Sequence, residues 1–163
     1  MRIKGKNKIM WYYGFDKIEN ISDFPEGTYG FIYEVTHIPS GKKYLGKKVL
    51  YFERNVKLGK KELAILKEER KAKGIGGRVP QKKKVIKESD WKSYYGSHEE
   101  IKKLVKEGKP EDFKREILQF VFSKKLLTYY ELAYLFKRDV LTDEMYLNDN
   151  INGTFYRKDF IDD

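Results

Sequence analysis

The span that most constrains the architecture of this chain is residues 28–46. Tyr29, Phe31, Ile32, Tyr33 and Val35 form an aromatic and β-branched run, Pro39-Ser40-Gly41 interrupts it, and a second short run follows at Tyr44-Leu45-Gly46. Proline presets the backbone of a turn and glycine accepts the left-handed conformation that closes one. The span is therefore expected to be a β-hairpin with a four- or five-residue loop. Downstream, Ser97-His98-Glu99-Glu100 fits a capping box, and Ile101, Leu104 and Val105 continue it as a helical stripe ended by Gly108 and Pro110. Residues 113–122 carry Ile117, Leu118, Phe120, Val121 and Phe122 without a helical period and read as a third, well-buried strand. A helix is expected over about residues 126–140. Its apolar arc (Leu126, Leu127, Tyr130, Ala133, Tyr134, Phe136, Val140) is wide enough to pack centrally.

The order hairpin, helix, strand, helix implies an α+β domain, a small three-stranded antiparallel sheet flanked by helices, over residues 28–153. Residues 1–27, with Trp11, Tyr12, Tyr13 and Phe15, are expected to be an N-terminal extension packed on that domain by its aromatics, and residues 154–163 a C-terminal tail. Residues 60–73 can form a short helix through Leu63 and Leu66. Gly74-Ile75-Gly76-Gly77 and Pro80 stop it, and the lysine run that follows is expected to be mobile.

That middle segment holds nearly all the net charge. The whole chain carries +10, and residues 57–87 contain 12 basic and 3 acidic residues, or +9. A field concentrated in one segment reads as a nucleic-acid arm, because each lysine or arginine that replaces a counterion on phosphate adds salt-sensitive affinity. Lys57, Lys60, Lys61, Arg78, Lys82, Lys83, Lys84 and Lys87 are its expected DNA-binding residues. The alternative is a flexible insertion kept in solution by its charge. With no cysteine, disulfides, zinc fingers, iron–sulfur clusters and thiol catalysis are excluded, and with only His37 and His98 no histidine-rich metal site can form. Any metal must sit on oxygen ligands. His37 is expected in the hairpin loop and His98 in the first turn of its helix. No stretch approaches the roughly 18 apolar residues of a spanning helix and the start lacks signal-peptide features, so a cytoplasmic location and no membrane partner are expected.

Tyr33 and Tyr44, 11 positions apart, can face each other across the hairpin, with Gly46 beyond them for close backbone approach. With 13 tyrosines in 163 residues about one such pair arises by chance, so an ordinary cross-strand aromatic pair is the alternative. The ordered set is more specific: Gly30-Phe31-Ile32-Tyr33, Tyr44-Leu45-Gly46, Arg54, Glu131 on a helix and Asn148 in a final turn. In residue type, order and spacing it resembles the GIY-YIG nuclease family over about residues 28–152. Residues 90–97, 112–118 and 136–141 look like small phage-encoded members related to homing endonucleases.

The resemblance implies an endonuclease that hydrolyses DNA phosphodiesters at one Mg²⁺ or Mn²⁺ per site. Tyr33 would be the general base, a role open to a phenol only if nearby positive charge lowers its pKa. Tyr44 would orient water or phosphate, Arg54 would fork onto the scissile phosphate, Glu131 would hold the cation, and Asn148 would orient a phosphate or a neighbouring side chain. Arg54 alone also reads as a surface arginine. Glu131 also reads as the close of a capping box that begins at Thr128, unless the helix starts near Ser123. Two positions depart from the pattern. Phe31 stands at the first motif's glycine, and Leu58 stands where a histidine follows the arginine; Tyr95 is the first choice to fill that gap, with Lys57 or Tyr94 behind it. The expected partner is double-stranded DNA, with a homodimer on DNA as the route to a double-strand break. A non-catalytic nucleic-acid-binding protein that keeps the fold is the rival reading.

Overall fold

Strand formation begins earlier than the hairpin. In the computed structural model, which describes residues 9–161, Trp11–Tyr13 (β1) and Asp16–Ile18 (β2) pair antiparallel around Gly14, whose positive φ of 60° makes the turn. The hairpin follows as Gly30–His37 (β3) and Lys42–Val49 (β4). Tyr51–Lys57 (β5), the helix Lys60–Ala72 (α1) and Lys82–Glu88 (β6) come next. The chain then forms Glu99–Glu107 (α2), Phe113–Val121 (β7), Lys124–Lys137 (α3), and the short pair Asn150–Ile151 (β8) and Phe155–Tyr156 (β9). Two compact units result: the residues up to Leu50 with those from Asp90 onward, and Tyr51–Ser89.

The first unit is an α+β domain around a five-stranded sheet in the order β2-β1-β7-β3-β4. The β7-β3-β4 side of it, with β4 at the edge, is the antiparallel three-stranded sheet that the sequence implies. The N-terminal segment is more than an extension, because β1 joins that sheet parallel to β7, Trp11 against Arg115. β3 is buried from Gly30 to Val35, including Glu34, whose carboxylate accepts from Tyr146 Oη at 2.6 Å and Arg138 at 3.0 Å. On one side, Ile32 packs with Leu45, Val121, Leu127, Leu135 and Val140 beneath α3. On the other, Phe31 and Tyr33 meet Trp11 edge-on at 5.1 and 5.5 Å between ring centroids, and Phe24 meets Trp91 at 5.0 Å. Such edge-to-face pairs contribute about 0.5–1.5 kcal/mol each beyond the area they bury.

The cap of α2 differs from the sequence reading, and that of α3 decides between the two starts the sequence left open. α2 is capped by His98, whose Nδ1 accepts the Glu100 N–H at 3.1 Å, and not by Ser97. α3 is capped by Ser123, whose hydroxyl accepts the Leu126 N–H at 3.2 Å. Glu131 therefore lies within the helix and closes no capping box at Thr128.

In the second unit, β5 and β6 form a two-stranded antiparallel ribbon paired at all seven positions. The lysine run expected to be mobile is half of it. Lysine has weak strand preference, and pairing with β5 overrides that preference. α1 ends at Gly74, whose φ of 65° lets Ile75 N–H return to Arg70 C=O at 2.9 Å.

Candidate active site

Alternation along the β3–β4 ladder puts Tyr33 and Tyr44 on one face, Tyr33 opposite Gly46 and Tyr44 opposite Val35. Their ring centroids are 6.4 Å apart. Tyr33 is the inner of the two, 1% exposed, with its ring against the bare backbone of Gly46. A Cβ at Gly46 would stand 2.6 Å from the Tyr33 Oη. Gly96, at φ +124°, closes the opposite side; a Cβ there would stand 3.0 Å from Tyr44 Cδ1 and 3.5 Å from Tyr33 Oη. Tyr94 meets Tyr33 edge-on at 5.7 Å. Burial, reinforced by Tyr94 and Tyr44, holds the Tyr33 hydroxyl well above the ordinary phenol pKa.

Tyr44 is less enclosed and lines a polar cleft of about 270 Å³ with His98, Glu131, Asn148 and Asp149. Its phenol is raised mainly by burial, against the Ser97 hydroxyl 3.3 Å away, which lowers it. Glu131 enters the cleft from α3. Its carboxylate is 3.9 Å from Lys47 Nζ, which also donates to Thr128 Oγ1 at 3.0 Å. Burial raises the Glu131 pKa, while the Lys47 ammonium and backbone N–H oppose the rise.

Asn148 reaches the site because the chain after α3 runs beside β4. Lys43 N–H donates to Met145 C=O and Leu147 N–H donates to Lys43 C=O, both at 2.7 Å. The buried Asn148 amide then accepts from Leu45 N–H at 3.1 Å and donates to Leu45 C=O at 2.8 Å. It braces the backbone next to Tyr44. The Arg157 guanidinium holds the same segment by donating to the carbonyls of Val140, Leu141, Asp143, Tyr146 and Asn148.

Sequence reasoning left His98 and Asp149 out of the site. His98 Nε2 is 2.8 Å from Asp149 Oδ2, and its ring lies 5.6 Å from that of Tyr44. Because Nδ1 accepts a backbone N–H, the neutral ring carries its proton on Nε2 and donates it to Asp149. Both imidazole nitrogens are thereby engaged, which leaves carboxylate oxygens as the metal-type donors of the cleft. Among the described residues no three His, Asp or Glu side chains converge as a metal cage. A half-buried carboxylate in a polar cleft fits a hard cation that keeps most of its waters, the habit of Mg²⁺. The one sequence signal for the added pair was position: His98 follows the Tyr94-Tyr95-Gly96 run, and Asp149 follows Asn148.

Tyr95, Arg54 and the basic residues remain. Tyr95 packs against Phe113 at 5.3 Å and under the Arg115 guanidinium at 4.5 Å, so the phenol beside Tyr33 belongs to Tyr94. Arg54 belongs to the second unit, exposed on β5 opposite Val85. Lys57, Lys60, Lys61, Arg78, Lys82, Lys83, Lys84 and Lys87 are all exposed on that unit, with Lys83 paired to Glu62 and Lys84 to Glu53.

The strand pair with its two same-face tyrosines, the facing glycine and the helical carboxylate are the elements on which the sequence resembles the GIY-YIG nucleases. The family described as "Putative endonuclease segE, GIY-YIG domain" matches residues 11–151. The chain belongs to the GIY-YIG nuclease family. No curated protein and no solved structure matches it. Among the described residues no helix is long and apolar enough to cross a membrane.

Proposed function

We propose that the protein is a divalent-metal-dependent DNA endonuclease. The observation that carries this is the shared cleft of Tyr44, Glu131, His98 and Asn148, with Tyr33 directly behind Tyr44. Glu131 would hold one Mg²⁺ or Mn²⁺, which when bound supplies positive charge for the phosphoryl oxygens and makes water more acidic. Tyr44 faces the cleft and orients the attacking water or a phosphate oxygen. Tyr33, buried directly behind Tyr44, sets its position. Asn148 and the His98–Asp149 pair fix the cleft walls. Arg54 and the basic residues of the second unit take DNA phosphates. One such set serves one phosphate, so a protomer nicks one strand, and a double-strand break takes two protomers or a second docking event.

Supercoiled plasmid incubated with and without Mg²⁺ tests the reading. Metal-dependent open-circular product is expected, and Glu131→Gln should lower cleavage by several orders of magnitude with DNA affinity equal or slightly higher. Full activity in Glu131→Gln removes the metal ligand. Wild-type protein that binds DNA and cuts none with any divalent metal replaces the nuclease with a silent binder.

A further inference from the structure

Residues directly opposite in the β5–β6 ribbon share a face. Phe52 with Lys87, Arg54 with Val85 and Val56 with Lys83 lie on one, and Glu53 with Ile86, Asn55 with Lys84 and Lys57 with Lys82 lie on the other. The first face is tied to α1, since Lys83 Nζ sits 3.0 Å from Glu62, and its Val56 and Val85 are half-buried. On the second face all six of those side chains are exposed, and an isoleucine 59% open to water stands in their midst. The same face carries Tyr51 opposite Glu88, so Ile86 stands opposite Glu53 and between Lys84 and Glu88, with Glu53 and Lys84 paired at 2.9 Å; with Lys57 and Lys82 at the other end, such a face suits a partner that is anionic at its rim and carries methyl groups and hydrogen-bonding edges in its floor.

We infer that this face of the ribbon reads base edges in the major groove of double-stranded DNA. The inference rests on the endonuclease reading for its substrate class and adds the groove, the face and the residues. Two strands about 4.8 Å apart with their side chains fit a groove about 12 Å wide. Lys57 and Lys82, at the far end of the ribbon, take backbone phosphates. Asn55 presents donors to purine edges, Lys84 and Glu53 exchange their mutual ion pair for a purine edge and a cytosine amino group, and Ile86 packs on thymine methyls. Seven paired positions at about 3.3 Å each cover about seven base pairs. The insert is then a recognition element as well as a source of affinity.

The test uses the full chain bound, in EDTA, to a duplex that the protein itself selects from a random pool. Dimethyl sulfate methylates guanine N7 in the major groove and adenine N3 in the minor groove. Protection of N7 over one run of about five to seven base pairs is expected, with adenine N3 in that run still reactive. Ile86→Glu, which puts a carboxylate on the exposed face without touching the core, should weaken that protection at least fivefold, with an unchanged circular dichroism spectrum. Reactive N7 throughout the footprint, unchanged protection in Ile86→Glu, or a pool that yields no preferred sequence overturns the inference. Plasmid cleavage by the same preparations separates the two claims. Cutting with N7 unprotected defeats the ribbon alone, whereas N7 protection without cutting in any divalent metal defeats the nuclease and leaves the ribbon standing.

Discussion

Gly46→Ala probes the wedge between the two tyrosines with a single methyl group. The added Cβ would meet Tyr33 at 2.6 Å from Oη, 2.8 Å from Cζ and 3.2 Å from Cε1. The ring cannot swing clear, because Trp11, Phe31 and Tyr94 hold it with centroids at 5.5, 6.2 and 5.7 Å. Relief must come from separating β3 and β4 or from tilting Tyr33 into Tyr44. Overpacking a filled site costs about 1–3 kcal/mol. At about 3 °C per kcal/mol for a chain of this size, Tm should fall by about 3–9 °C. A displacement of several tenths of an ångström at Tyr44 should also slow plasmid nicking by about tenfold or more. Tyr33→Phe removes the clash at Oη and leaves the one at Cζ, so it should relieve part of the strain. A double-mutant cycle followed by urea melts should show a coupling of about 0.5–1.5 kcal/mol. A Gly46→Ala protein that melts within about 1 °C of wild type and nicks at the wild-type rate would show that Tyr33 is not wedged against β4.

Three further outcomes follow from the same geometry. Tyr33 and Tyr146 both have folded pKa values above the phenol reference of 10.0, Tyr146 pushed up to about 12 by burial and its bond to Glu34. A group raised by folding stabilises the fold below its unfolded pKa and loses that contribution as pH climbs, so the urea midpoint should hold to about pH 10 and fall towards pH 12, less steeply in Tyr146→Phe. Replacing Lys82, Lys83 and Lys84 by alanine should reduce the slope of log affinity against log salt by up to about 0.9 for each phosphate no longer neutralised, with nicking at saturating DNA nearly unchanged; a collapse of the saturated rate at constant affinity contradicts it. Arg157→Ala strips a donor from five carbonyls and should cost about 2–4 kcal/mol in urea melts, slowing nicking through Asn148; an unaltered midpoint defeats the clamp.

What could be read from the amino acids alone was what local chemistry controls. The β3–β4 hairpin announced itself through its aromatic and β-branched run and Pro39-Ser40-Gly41, and its loop has four residues, Ile38 to Gly41, within the expected four or five. The stop at Gly74, the buried strand β7 and an apolar helix carrying Glu131 were equally legible, because turn propensity, burial and helical period act over a few neighbours. The motif order also pointed to the family, which the match over residues 11–151 bears out. Tertiary structure decided the rest. Trp11 enters the sheet only through Arg115, over 100 residues away, and the lysines of β6 become a strand only because β5 offers a partner. His98 reaches Asp149 across 51 positions, which no local pattern encodes. The state of Tyr33 is the clearest case. Its motif marks it as a reactive phenol, yet the ionisation of a side chain depends on how much water and which charges surround it. Trp11, Gly46, Tyr94 and Gly96 bury it, and burial pushes its pKa up.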